Sequence, residues 1–258
     1  MALPMNIIND TVNCLEAISL NEMDNVKLMD RIDSKYIFTV HELPKYLSEI
    51  KDSYRVLEVN NCRMINYESL YFDTIDFTLY HQHHNGKMNR HKIRFRKYIE
   101  NNLSFFEIKH KNNKVRTQKN RISCPQIEKT IVGNSKKFLG EMTNLISEDL
   151  LPVLWVIYTR ITLVNRFTDE RVTIDTNLSF KNSETQQEIL NLVIAEVKQD
   201  KAAQSAFSRV MKNNHIREGF MSKYCFGISS LYTGLRKNNF KPQFLQLKKL
   251  QHATPNIN

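Results

Sequence analysis

The stretch NRHKIRFRKYIE, residues 89–100, places Arg90, Lys92, Arg94 and Arg96 at every second position, with His91, Ile93, Phe95 and Lys97 between them. Alternate residues of a strand point to opposite faces. The segment therefore predicts a strand with one cationic face and one largely apolar face. A solvated surface strand carries the same pattern, so the other strands must decide what the cations meet.

They repeat it. FEIKHK (106–111) sets Glu107, Lys109 and Lys111 against Phe106 and Ile108, and YTRITLV (158–164) sets Tyr158, Arg160 and Thr162 against Ile161 and Leu163. RVTID (171–175) sets Arg171, Thr173 and Asp175 against Val172 and Ile174, and VIAEVKQ (193–199) sets Glu196 and Lys198 against Val193, Ala195 and Val197. In DRIDSKY (30–36), Arg31, Asp33 and Lys35 share a face. One reading is an ordinary sheet with a charged face in water. The other is an α+β fold: a closed antiparallel β-barrel forming a tunnel with a charged interior, its outer face covered by helices. Small barrels fill their interior with side chains, and cations crowded there repel unless a polyanion or water sits among them. The repetition favours the barrel, because a solvated face mixes signs and includes more Ser, Asn and Gln.

With 258 residues, 41% hydrophobic and 10% aromatic content, the chain has enough apolar material for a substantial core. Its formal charge of +10 points to polyanions such as nucleic acid, anionic lipid or phosphorylated small molecules. Six glycines and six prolines, without a low-complexity linker, favour one continuous domain over 25–236, with a helical lead-in at 1–24 and a basic, mobile tail at 237–258. Asp10 is expected to cap the lead-in helix, Thr74 or Asp76 a helix ending at Asn85-Gly86, and a further helix is expected over Ser135–Leu150. Beyond residue 200 the pattern turns helical, with Ala202, Ala203, Phe207, Val210 and Met211. No signal peptide or membrane-spanning run is evident. Cys14, Cys62, Cys124 and Cys225 form no CxxC pair, which argues against structural zinc and fits a reducing, cytoplasmic setting.

Taken in order, RIDSKYIF, SLYFDT, YHQHHNGKMNRHKIRFRKY, FEIKHK, YTR, VTIDT, AEVKQD and MSKY resemble the VTC-domain branch of the triphosphate tunnel metalloenzymes over roughly residues 25–232. The resemblance implies a tunnel that binds triphosphate or polyphosphate with a divalent metal, Mn2+ or Mg2+, and an ATP-using polyphosphate polymerase. It implies that Lys35, Arg94, Arg96, Lys109, Arg160 and Arg171 hold phosphate oxygens, with Lys119 a further member and Lys198 acting beside them. Tyr158 would hydrogen-bond a phosphate, and Ser222 with Lys223 would bind near the tunnel mouth. Glu196 would be the principal metal ligand, joined by Glu107 and Asp33. Asp33 stands where the family commonly has Glu, one methylene longer, so its reach to a metal is in question. Neither an inositol-phosphate-binding domain before the barrel nor a membrane segment after it is expected, so regulation or coupling to translocation is expected to come from another protein, such as a separate membrane protein, or to be absent.

Such a transfer needs positioning and charge neutralisation more than a strong base, and no Ser-His-Asp set stands out. His81, His83, His84 and His91 are read as helix-end packing rather than a metal site, since no carboxylate or thiolate accompanies them. Asp73 and Asp76 are read as turn and capping residues; Asp175 is read either as an ion-pair partner or as a metal contact. The tail lysines, Lys237, Lys241, Lys248 and Lys249, are read as solvated, with an anionic membrane surface or a membrane protein as the alternative. Hydrolysis of triphosphates and polyphosphate binding without turnover are the competing functions. RNA binding is disfavoured because the aromatics fall mostly on the apolar faces.

Overall fold

The computed structural model describes residues 3–24, 31–113, 117–200 and 204–252. Helix α1 (Leu3–Asn13) leads through strand β1 (Ala17–Ile18) and α2 (Leu20–Asp24) to β2 (Arg31–Thr39). Helix α3 (Leu43–Ile50), β3 (Tyr54–Leu57), β4 (Ile65–Asp73) and α4 (Thr78–His84) follow. Next come β5 (Arg90–Tyr98), β6 (Leu103–Lys111), β7 (Thr117–Cys124) and α5 (Gly133–Met142). Strands β8 (Leu151–Asn165), β9 (Arg171–Lys181), β10 (Gln186–Ile189) and β11 (Leu192–Asp200) complete the sheet, and α6 (Ala206–Asn213), α7 (Lys223–Leu231) and α8 (Lys241–His252) end the chain.

Among the described residues the eleven strands form one sheet, in the order β2-β11-β9-β8-β4-β5-β6-β7, with β3 paired to β8, β10 to β9 and β1 to β3. Pairing is antiparallel except for the two-residue β1–β3 contact. The expected α+β fold with a large antiparallel sheet is present, but among the described residues hydrogen bonds do not join β2 to β7, so the sheet is not closed into a barrel by hydrogen bonds. Strand β7 is exposed along most of its length on both faces, and little burial would drive its edge onto β2. The sheet nevertheless curls strongly. Lys109 on β6 feels the charge of Glu196 on β11, five strand spacings away in the hydrogen-bonded order. A flat sheet would hold them about 24 Å apart.

The convex face is apolar and covered by helices. Phe38, Ile161, Val172, Ile174 and Val193 pack beneath α1, α3 and α6, which contribute Val12, Leu47 and Phe207. Phe72, Ile93, Phe95, Phe106 and Ile108 pack beneath α4 and α5 through Leu79 and Leu139. The even-spaced Ile93 and Phe95 of β5 are therefore core residues, each contributing about 1.5–3 kcal/mol by burial.

On the concave face the two ends differ. At the end where β4 finishes and β5 begins, Ile37, Leu154, Val156, Leu178, Phe180 and Ile194 form an apolar floor on which α7 and α8 sit. Gly227 of α7 approaches so closely that a Cβ there would lie 2.6 Å from Phe180 and 2.7 Å from Leu154. The stretch read as a mobile tail is helical up to His252, and Phe240 and Leu247 bury against this floor. The lead-in helix starts at Leu3, with Asp10 inside it instead of capping it. Helix α5 stops at Met142, well short of Leu150. Ala202 and Ala203, read as helical, and the side chain of Arg31 lie outside the described residues.

Candidate active site

Arg94 and Arg96 are the centre of the concave face. They are only 5% and 7% exposed, so the middle of the cationic side of β5 does not meet bulk water, whereas Arg90 and Lys92 nearer the strand start are partly exposed. Arg94 donates from Nε to Glu107 at 2.7 Å and from Nη1 to Tyr71 Oη at 2.6 Å, with a second, shorter bond to Glu107. Arg96 donates from Nε to Ser69 Oγ at 3.1 Å and lies over the rings of Tyr67 and Tyr158, 5.4 and 5.9 Å from their centroids.

Three interior carboxylates are each clamped by two cations. Glu107, fully buried, holds Arg94 and Lys119, the latter at 2.5 Å. Asp175 accepts both forks of Arg160, at 2.6 and 2.8 Å, and also binds Lys223. Glu196 binds Lys35 at 3.0 Å and Lys198, both through Oε1. Burial raises the pKa of all three, but the neighbouring cations outweigh it. Asp175 ends at about 2, and Glu107 and Glu196 sit well below the carboxylate range. Burial lowers Lys119 to about 8 against the pull of Glu107. Lys109 is pushed well below the lysine range by burial and by Arg94 and Arg96, with Glu196 opposing.

The other expected residues lie on the same surface. Arg171 reaches the Met23 carbonyl at 3.1 Å. Asp33 pairs in register with Lys198, whose pKa burial lowers against the opposing charges of Glu196 and, to a smaller extent, Asp33. Tyr158 is 2% exposed, and its hydroxyl has no hydrogen-bond partner among the described residues. The β8–β9 register shifts beside it, where Asn177 takes a left-handed φ of 52°. Bulges of this kind re-aim side chains next to sites. Ser222 caps α7 by accepting from Cys225 N–H and also accepts from Lys92 Nζ at 2.8 Å. Helix α7 thus brings Ser222 and Lys223 into the cationic zone.

Among the described residues, Lys35, Lys92, Arg94, Arg96, Lys109, Lys119, Arg121, Arg160, Arg171, Lys198 and Lys223 share this face with Asp33, Glu107, Asp175 and Glu196, so cations outnumber carboxylates. An excess of that size in a poorly hydrated trough is held apart only at a cost that a polyanion relieves.

No three His, Cys, Asp or Glu side chains converge as a metal cage among the described residues. Glu107, expected beside the metal, is fully buried and bound by Arg94 and Lys119. Glu196 is a quarter exposed. A hard divalent ion taking one carboxylate oxygen, with phosphate and water supplying the rest, suits such a donor set.

Residues around α4 and α7 support the site, and of these Tyr71 and Tyr224 were not singled out from sequence. Asp73 accepts the Thr74, Leu79 and Tyr80 amides, the capping role read for it, and in addition the Tyr224 hydroxyl. Tyr71 stacks on Tyr224 at 5.1 Å and so links Arg94 to α7. His83 bonds the His91 main chain and His84 the Asn239 backbone, as helix-end packing requires. The aromatics correct one expectation, that they fall mostly on the apolar faces: Tyr67, Tyr71, Tyr98 and Phe105 join Tyr158 among the cations. The signal was alternation in β4, where the tyrosines at 67 and 71 share a face, but no charge marked it.

The VTC domain family matches residues 30–232. The chain belongs to the VTC domain family. No curated protein matches it by sequence. Among solved structures, this VTC domain is similar to a candidate adenylate cyclase of Bacillus halodurans (13% identity, 80% of this chain and 100% of that one, TM-score 0.47). A candidate adenylate cyclase of Vibrio parahaemolyticus has 12% identity, coverage of 78% and 99%, and a TM-score of 0.46. A Hippeastrum adenylyl cyclase candidate with dominant triphosphatase activity has 12% identity, coverage of 80% and 98%, and a TM-score of 0.44. No helix among the described residues is long and apolar enough to cross a membrane.

Proposed function

We propose that this VTC domain is an ATP–polyphosphate phosphotransferase. The observation that carries the reading is the excess of cations over carboxylates on the concave face, with Arg94 and Arg96 buried at its centre and the buried Tyr158 hydroxyl unsatisfied beside them among the described residues. A linear chain of phosphates supplies one or more negative oxygens per unit to such a surface, and the arginine forks match their geometry. Arg94, Arg96, Arg160 and Arg171 hold non-bridging oxygens, and Lys35, Lys109, Lys119 and Lys198 add point charge. Tyr158 donates to a phosphate, and Ser222 with Lys223 hold the strand beside α7. Glu107 and Asp175 orient their cations, which leaves Glu196, with Asp33 beyond it, for the metal. Mn2+ or Mg2+ there would neutralise charge on the transferred phosphoryl group.

In the transfer, an oxygen of the growing chain's terminal phosphate attacks the γ-phosphorus of ATP. The bond to the β–γ bridging oxygen breaks and ADP leaves. The nucleophile is already anionic, so no general base is required. Incubating purified protein with ATP and MnCl2 tests this, with gel analysis of phosphate chain length and assay of ADP. ADP with lengthening polymer is expected. Orthophosphate without polymer would indicate a triphosphatase, and tight tripolyphosphate binding without any turnover would indicate a binding module.

A further inference from the structure

At the mouth away from α7, where β5 ends and β6 begins, the concave face changes chemistry. Tyr98 and Phe105 meet edge to face at 5.8 Å, Tyr67 lies 4.8 Å from Tyr98, and Tyr158 stacks on Tyr67 at 5.0 Å. The exposed guanidinium of Arg121 lies over Phe105, 4.4 Å from its centroid. Leu103, paired in register with Tyr98, is 43% exposed beside them. Phe105 and Tyr98 are themselves half-buried, so rings and a planar cation are presented to solvent at this lip.

The lip adjoins the phosphate-competent zone. Phe105 is the register partner of Arg96, and Tyr98 is one inner-face step from it, about 6.8 Å along the strand. A triphosphate held by Arg96 and Arg160 must send its nucleoside toward one mouth or the other. Toward α7, the described surface offers Lys92 and Lys109, or the buried Tyr224, whose hydroxyl is already committed to Asp73. Toward the lip it offers stacking faces. We infer that Tyr98, Phe105 and Arg121 form a base-stacking platform for the nucleoside of a nucleoside triphosphate whose phosphates occupy the cationic trough.

The inference rests on the trough being a triphosphate site, and the experiment separates the two claims. Calorimetric titration of the full chain with ATP, GTP and tripolyphosphate, each with MgCl2, is compared for wild type, Phe105→Ala and Phe105→Tyr. Stacking contributes about 1–3 kcal/mol per base, so Phe105→Ala should weaken ATP about 5- to 150-fold, and GTP similarly because stacking tolerates any base. Tripolyphosphate affinity should hold, which also reports an intact fold, and Phe105→Tyr should restore ATP binding. Arg121→Gln, at an exposed position, gives a second variant whose ATP-to-tripolyphosphate ratio should fall. An unchanged ratio in both variants overturns the platform while leaving the trough intact. Wild-type protein that binds none of the three ligands overturns the trough, and the platform with it.

Discussion

Asp175 shows what a single residue does in this trough. It is 3% exposed and holds Arg160 and Lys223, one from the sheet and one from α7. Asp175→Ala leaves both cations buried without their counter-charge, which should cost about 3–5 kcal/mol of folding stability in urea titrations. Tripolyphosphate should recover part of that loss by supplying the missing charge. The pH sign follows from its lowered pKa. Stability from the ionised group is complete above the ordinary carboxylate value and is lost as pH falls toward about 2. The gap between variant and wild type should therefore narrow below about pH 4. From sequence, Asp175 was legible as a charged residue on the right face. Whether it paired or bound metal was not, because the choice depends on Lys223, 48 positions away.

At the scale of elements, α7 decides which parts of the concave face stay open. Its apolar side covers the floor made by β8, β9 and β11, while its first turn carries Ser222 and Lys223 to the cations. The bond from Tyr224 to Asp73 ties it to α4 and β4. Gly227 sets its depth. Gly227→Ala should cost about 1–3 kcal/mol through overpacking and lower the melting temperature. By lifting α7 it should also weaken tripolyphosphate binding, measured by calorimetry, whereas Gly140→Ala, with open space at its Cβ, should do neither. The β5 and β6 strands were legible because their alternation is strict. The docking of 237–252 was not, because Phe240 and Leu247 are isolated apolar residues in a basic stretch and bury only against distant strands.

The whole trough behaves as one titrating field. Lys119 sits at about 8 and Lys109 lower than an ordinary lysine, so part of the site is uncharged in mildly alkaline solution. A bound polyanion raises both values, so binding at pH 8 should draw protons from solution. Calorimetry in buffers of different ionisation enthalpy reads that uptake directly. Tripolyphosphate affinity should fall as pH rises through about 8, and Lys119→Gln should flatten the decline. An affinity independent of pH between 7 and 9 would sink this view of the field.

By itself the sequence determined the sheet's chemistry. Two-residue periodicity dictates which side chains share a face of each strand, and local spacing alone sets it, so Lys35, Arg94, Arg96, Lys109, Arg160 and Lys198 are each legible as lying on the charged side of their strand. Only the tertiary structure decided that the face is curled with Arg94 and Arg96 buried at its centre, that three carboxylates each hold two cations, and that among the described residues no hydrogen bonds join β2 to β7. Those outcomes depend on contacts between residues far apart in the chain, where curvature, burial and competition among partners act together and no local pattern records them.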